Sequence, residues 1–228
     1  MSLKIKGWRK FIKWAFWSII GILFLVFLIR VVTFENYYYS EKEGSERVAA
    51  LLLEENEELI EVEPTEEEVK EYVVAADRPR YLSIEKLGVD KARVLAMNVN
   101  AKGELATPSN IFDVGWYEAS GKPGQGGTLI IDGHNGGPHV HGVFKALPSL
   151  TGGDIIKIER GDGVIFEYKV VENKEIPLSE ADDYMSVAAQ SPEKGKESVT
   201  LISCTGEWSQ TQKTYLSRQF TRAVLLSD

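Results

Sequence analysis

The hydrophobic and polar positions divide the chain into three textures. The first is a run of bases followed by an apolar block: Lys4, Lys6, Arg9, Lys10 and Lys13 lead into an apolar run from Trp14 to Ile29. That run alone is slightly short for the ~20 residues a membrane span needs. Arg30 can snorkel its charge to the headgroups, which extends the span to Phe34. Trp8, Trp14 and Trp17 fall near one interface and Tyr37, Tyr38 and Tyr39 near the other, as an aromatic belt would. Residues 1–34 are therefore predicted to be a cytoplasmic basic flank and a single transmembrane helix. A cleaved signal peptide is the rival. It would have a shorter core and a small-residue cleavage site, and "VVTFENYYY" offers no convincing one. The basic flank sets the orientation: N-terminus in the cytoplasm, everything after residue 35 outside.

The second texture is polar with a helical rhythm. Val48, Leu51, Leu52 and Leu59 fall at roughly helical spacing among glutamates. Pro64 breaks the pattern. Thr65 then stands as an N-cap with Glu68 three residues later, and a short helix restarts. Residues 35–77 read as an acidic helical linker, either a solvated stalk or a pro-segment that covers the active site.

The third texture begins at Arg78. "YLSIEKLGVDKARVLAMNV" and "GGTLIIDGHNG" are β-rich runs broken by Gly and Asn. "GGDIIKIERGDGVIFEYKVVENKEI" reads as two strands around a Gly-Asp-Gly turn. "SVTLISC", ending at the only cysteine, and "FTRAVLL" are two more strands. "PLSEADDYMSVAAQS" reads as a helix or long loop packed on the outside. Many short strands and few helices predict an all-β barrel or sandwich of about 150 residues, spanning 78–228.

Charge sharpens this division. Residues 1–34 carry six bases and no acids, and residues 35–77 carry fifteen acids and three bases. The remainder is nearly neutral, at −2 of the total −8. A near-neutral domain after an acidic spacer lacks the basic footprint that nucleic acid requires.

The candidate chemistry is sparse. Cys204 has no internal partner, in a segment predicted to lie where paired cysteines are common. It is either a small buried hydrophobe or a reagent. All three histidines, His134, His139 and His141, lie in "GHNGGPHVHGVF". "TLIIDGH" puts His134 at the end of a strand entering a glycine-rich loop, a common place for functional side chains. Arg218 lies on the last strand. Thiol, imidazole and guanidinium could then meet at one end of a barrel. A zinc site on the three histidines is a separate possibility, since His139 and His141 share a face in an extended segment. It lacks the HExxH pattern, and a loop triad is unselective. A non-catalytic surface scaffold on a stalk is the remaining reading.

Residues 79–226 resemble the sortases, cysteine transpeptidases of Gram-positive cell surfaces. "PRYLSIEKLGV" resembles the family's first strand. "VGWYEASGKPGQGGTLIIDGHN" resembles its Gly-Trp-Tyr, Pro-Gly and Gly-His segment, and "GVFKALPSLTGGDIIKI" its Phe-x-x-Leu…Gly-Asp run. "TLISC" matches the Thr-Leu-x-Thr-Cys signature except at Ser203, and "RQFTRAVL" resembles the arginine strand. The resemblance implies an eight-stranded barrel with short helices and no cofactor. It also implies Cys204 as nucleophile, His134 as general acid/base and Arg218 as oxyanion stabiliser. Its implied substrates are surface proteins with a C-terminal Leu-Pro-X-Thr-Gly-like sorting signal. Its implied acceptors are amines such as a peptidoglycan precursor or a pilin lysine, and hydrolysis of the same signal is the nearest rival.

Several departures bear on these expectations. Ser203 keeps a hydroxyl but loses a methyl. Asp132, two before His134, either raises the imidazole's pKa or caps the loop. No apolar span follows Leu226, which leans away from pilin polymerisation. The calcium site of some members has no visible counterpart.

Overall fold

A computed structural model of the protein describes residues 59–99 and 105–226. The predicted anchor at 1–34 and the first part of the acidic linker lie outside the described residues.

Eight strands form the domain: β1 (Pro79–Ile84), β2 (Val89–Met97), β3 (Val114–Tyr117), β4 (Thr128–Gly133), β5 (Ile155–Arg160), β6 (Ile165–Pro177), β7 (Ser198–Ser209) and β8 (Thr214–Leu225). They close into a barrel in the order β1-β2-β3-β4-β7-β8-β6-β5, completed where β1 pairs with β5. β2 runs parallel to β3, and β4 parallel to β7. Parallel neighbours cannot be joined by a tight turn. The path from β4 to β7 accordingly passes through β5, β6 and an outer helix, Leu178–Ala188.

That helix explains why "TLII" and "VTLI" are continuous apolar runs rather than alternating ones. A strand covered on both faces needs no polar side. Leu129, Ile131, Val199, Leu201 and Ala223 face the barrel interior with Trp116, Phe144 and Tyr168. Ile130, Ile202 and Phe220 face outward against Ala181 and Ala188 of the helix. Tyr184 meets the Phe220 ring edge-on, with centroids 4.9 Å apart. Burial of side chains this size stabilises by about 1.5–3 kcal/mol each.

A short helix, α1 (Glu66–Glu71), precedes the barrel, so the outer helix Leu178–Ala188 is α2. The Thr65–Glu68 capping box predicted for α1 is present, with both reciprocal bonds made. Residues 59–77 are largely solvent-exposed, yet several of them are bonded to the barrel. Ile60 forms a parallel bridge to Asn110, Tyr72 Oη donates to the Val94 carbonyl at 2.6 Å, and Tyr81 Oη donates to the Val69 carbonyl. Acidic composition hid this because the contacts are backbone bridges and tyrosine hydroxyls, not a run of apolar residues.

β7 also runs past Cys204, where the sequence pattern ended it. The β7–β8 hairpin continues through "TGEWS", and Trp208 packs on its cross-strand partner Tyr215 with centroids 5.2 Å apart. Polar residues concealed the extension, while an aromatic cross-strand pair supports it.

Arg222 fixes the C-terminal end of α2 to β8. Its guanidinium pairs with Glu172 of β6 and donates to the carbonyls of Val187 at 3.1 Å and Gln190 at 2.8 Å. Thr200 Oγ1 adds a bond to the Ala188 carbonyl at 2.7 Å. These contacts satisfy carbonyls that a helix end leaves unpaired. Arg222→Ala leaves Glu172 paired with Lys174 alone and takes the donor from the Gln190 carbonyl, so we expect a loss of about 1–3 kcal/mol in denaturant unfolding. A loss near zero would show that α2 is held by its apolar face alone.

Candidate functional site

Three neighbouring strands build the site. β4 ends at Gly133, where a Cβ would lie 2.6 Å from the Phe144 ring. Only glycine allows that close approach. The chain then loops out from His134 and returns at Phe144, whose N–H donates to the His134 carbonyl at 3.0 Å. The parallel register pairs Asp132 with Ile202, two residues before His134 and Cys204, and both of these line the same cleft. The antiparallel register sets Arg218 directly opposite Cys204. Side chains of such a pair leave one face with Cβ atoms about 5 Å apart.

The face they share is the outer one. Cys204 keeps parity with Ile202, and Arg218 with Phe220, both packed under α2. Cys204 and Arg218 therefore lie on the outer face of the barrel wall, with His134 just past the end of β4. They line one cleft of about 920 Å³. Ile130, Ile202, Phe220 and Met185 of α2 supply much of its apolar lining, and Cys204, His134 and Arg218 line it with Asp132, Asp182 and Ser120. An apolar trough leading to reactive groups suits an extended peptide.

Past Gly133 the β4–β7 ladder gives way to side-chain bonds. Ser203 Oγ donates to the Gly133 carbonyl at 2.9 Å, so the hydroxyl at this position is in use. Asn135 Nδ2 donates to the Cys204 carbonyl at 2.9 Å, and Asn135 is buried. His134 thus sits between two residues, each tied to β7 at or beside the thiol. Asn135 escaped the sequence reading; its place after His134 was the only available signal.

Burial sets the protonation states. It pushes the Cys204 thiol up, while the Arg218 guanidinium pulls it down and Asp132 pushes it up. It pushes the His134 imidazole below its ordinary 6.5, opposed by a hydrogen bond to the Pro108 carbonyl. Nε2 makes that bond at 2.8 Å. A carbonyl only accepts, so Nε2 carries the proton and the neutral ring keeps its lone pair on Nδ1. Both groups favour their neutral forms at neutral pH.

Arg218 is held by neutral oxygens: Nη1 donates to the carbonyls of Tyr215 at 3.0 Å and Ser217 at 3.1 Å, and Nη2 to Thr214 Oγ1 at 3.3 Å. Among the described residues no carboxylate pairs with it, in contrast to Arg222 with Glu172. Arg222 lies opposite Thr200, four residues back along β7 from Cys204.

Asp132 does neither of the things its position had implied. Its carboxyl binds Thr107 Oγ1 at 2.6 Å, across to the β2–β3 connection, and makes no hydrogen bond to the imidazole or the loop. His139 and His141 are exposed, away from the cleft lining. Among the described residues no three His, Cys, Asp or Glu side chains gather as metal ligands.

Comparison with known proteins agrees with this architecture. The sortase domain model matches residues 82–225, more than half of the chain. The protein belongs to the sortase family, and is a cysteine transpeptidase of that class. A Clostridium perfringens sortase transpeptidase is similar at 23% identity, over 72% of this chain and 90% of that one, with a TM-score of 0.46. A sortase from Actinomyces oris is 18% identical over 68% and 83% of the two chains, TM-score 0.48. Streptococcus pneumoniae sortase C is 18% identical over 81% and 88%, TM-score 0.49. A search of curated proteins returns no match.

Burial lifts the Asp132 carboxyl from 3.8 to about 7, against the hydrogen bond from Thr107. Between those values the folded state holds a proton the unfolded chain has released, so this group's contribution to stability falls as pH rises. Asp132→Asn should therefore be more stable than wild type at about pH 8, with the gap closing towards about pH 4. Melting temperatures across that range test it; a gap independent of pH would mean that Asp132 does not titrate there.

Proposed function

We propose that the protein is a membrane-anchored sortase in which Cys204 is the nucleophile, His134 the general acid/base and Arg218 the oxyanion stabiliser. The carrying observation is the pairing of Cys204 with Arg218 across β7 and β8, with His134 lining the same cleft just past the end of β4. The substrate is a surface protein with a Leu-Pro-X-Thr-Gly-like sorting signal. Its peptide lies along the apolar trough, with the scissile carbonyl over Cys204.

The thiolate adds to that carbonyl carbon. Negative charge grows on the carbonyl oxygen, where the Arg218 guanidinium opposes it. The C–N bond breaks, the departing amine takes a proton from the imidazolium of His134, and a thioester remains on Cys204. An acceptor amine then adds to the thioester, gives its proton to His134, and releases Cys204 as a new amide forms. The acceptor is an amine of a peptidoglycan precursor or a pilin lysine.

The neutral resting forms of thiol and imidazole support this order of events. The charged pair is a minor state, and Arg218 stabilises charge where it develops in the transition state.

Turnover of a sorting peptide with added amine tests the assignment. Cys204→Ala and His134→Ala should abolish ligated product while keeping the fold; His139→Ala and His141→Ala should keep most activity. Arg218→Ala should lose about 10²-fold or more, in line with loss of one oxyanion donor, and Arg218→Lys should stay poor because an ammonium lacks the planar fork. Arg222→Ala should lose less than about tenfold, acting through stability. Equal losses in the two alanine variants, with folding intact, would overturn the arginine assignment. Hydrolysed peptide with no ligated product at saturating amine would make the protein a peptidase.

The charge pattern of residues 1–34 supports a single-pass anchor with the N-terminus in the cytoplasm and the catalytic domain outside. Protease added to intact protoplasts should degrade the domain. Full protection would place it inside.

A further inference from the structure

Residues 60–62 form a strap over the two segments that hold His134. On one side, Ile60 N donates to the Ser109 carbonyl at 2.9 Å, and Ile111 N donates to the Ile60 carbonyl at 3.1 Å. Asn110 Nδ2 donates to the Val62 carbonyl at 3.1 Å. This stretch follows directly from Pro108, whose carbonyl holds the His134 ring. On the other side, Glu61 Oε1 accepts from the backbone N–H of His139 at 2.9 Å and of Val140 at 3.3 Å. Those residues are the tip of the loop that starts at His134. Gly137 is shaped for this contact, because a Cβ there would collide with the Glu61 carboxylate.

The loop has little else to fix its tip. Within it, Gly137 N donates to the Val140 carbonyl at 3.0 Å and Gly142 N to the Asn135 carbonyl at 2.8 Å, while His139, Val140 and His141 are exposed. The two ends of the loop are held, by Asn135 Nδ2 on the Cys204 carbonyl and by Val143 N on the Ile111 carbonyl, but its exposed tip has only its own backbone bonds besides Glu61. Glu61 joins its tip to the same strap that pins the Pro108 segment.

We propose that Glu61 is a positioning residue for the transpeptidation reaction, tying the His134 loop to the Pro108 segment so that the imidazole stays set against Cys204. Residues 60–62 are then part of the catalytic scaffold. The proposal rests on His134 being the acid/base.

The test uses the full chain and measures kcat and KM for a sorting peptide with saturating amine, melting temperature, and the rate of Cys204 alkylation by iodoacetamide. Glu61→Ala should lower kcat by about tenfold, as a slight misplacement of an acid/base does, with KM, melting temperature and alkylation rate near wild type. Glu61→Gln should restore most of the rate, because the amide oxygen can accept the same two N–H groups. Glu67→Ala, on the exposed side of α1, is the control and should match wild type. Wild-type or raised kcat in Glu61→Ala, alongside an inactive His134→Ala, would overturn the strap and leave the site reading standing. A kcat loss that tracks a falling melting temperature, or that Gln does not rescue, would overturn it too, by making Glu61 merely structural. An active His134→Ala would overturn the site reading itself.

Discussion

The parallel pairing of β4 with β7 is the constraint from which the rest of the site follows. It lays the strand leading to His134 beside the strand carrying Cys204, and it does so in a fixed register. Such a pair must be buried on both faces, which demands α2 outside as well as the core inside. The same helix that completes the burial also walls the cleft. Folding and the shape of the cleft therefore draw on one set of apolar contacts, with Phe220 and Ile202 serving both.

The two arginines of β8 show how position along a strand divides roles. Both point outward, four residues apart, so alternation cannot separate them. Arg222 sits opposite Thr200 beneath the end of α2, where it meets Glu172 and the helix carbonyls. Arg218 sits opposite Cys204, bound only to neutral oxygens of its own strand. A guanidinium already neutralised by a carboxylate has little field left for a developing oxyanion. One held by carbonyls keeps its full charge and also a fixed orientation.

The barrel was legible because several of its strands carry apolar β-rich runs bounded by Gly and Asn. Cys204, His134 and Arg218 could be singled out because each is a rare or well-placed residue type. What hid was everything that depends on partners distant in sequence. Asn135 reads as an ordinary loop residue until β7 is laid beside it. Asp132 reads as a neighbour of His134, yet its carboxyl reaches Thr107, 25 residues earlier in the chain. The outer-wall location followed from parity relative to α2, and no pattern within one strand carries that information. Residues 59–77 were obscured by composition, since glutamates outnumber the few residues that touch the barrel.

The electrostatics of the cleft favour restraint over standing activation. Burial alone would make Cys204 a poor thiolate and His134 a poor imidazolium, and the direction of both shifts agrees with that. Asp132 adds to the first effect when ionised, and Arg218 opposes it. A permanently ionised thiol at an exposed surface would be oxidised or alkylated readily. Under the proposed mechanism, a neutral pair that transfers its proton only when substrate fills the cleft is protected between turnovers. In that proposed mechanism Arg218 has its largest effect once the peptide has excluded water, where a fixed positive charge acts through a lower dielectric. On this account the apolar trough is more than a docking surface: by displacing solvent it raises the worth of the one unpaired guanidinium beside the thiol.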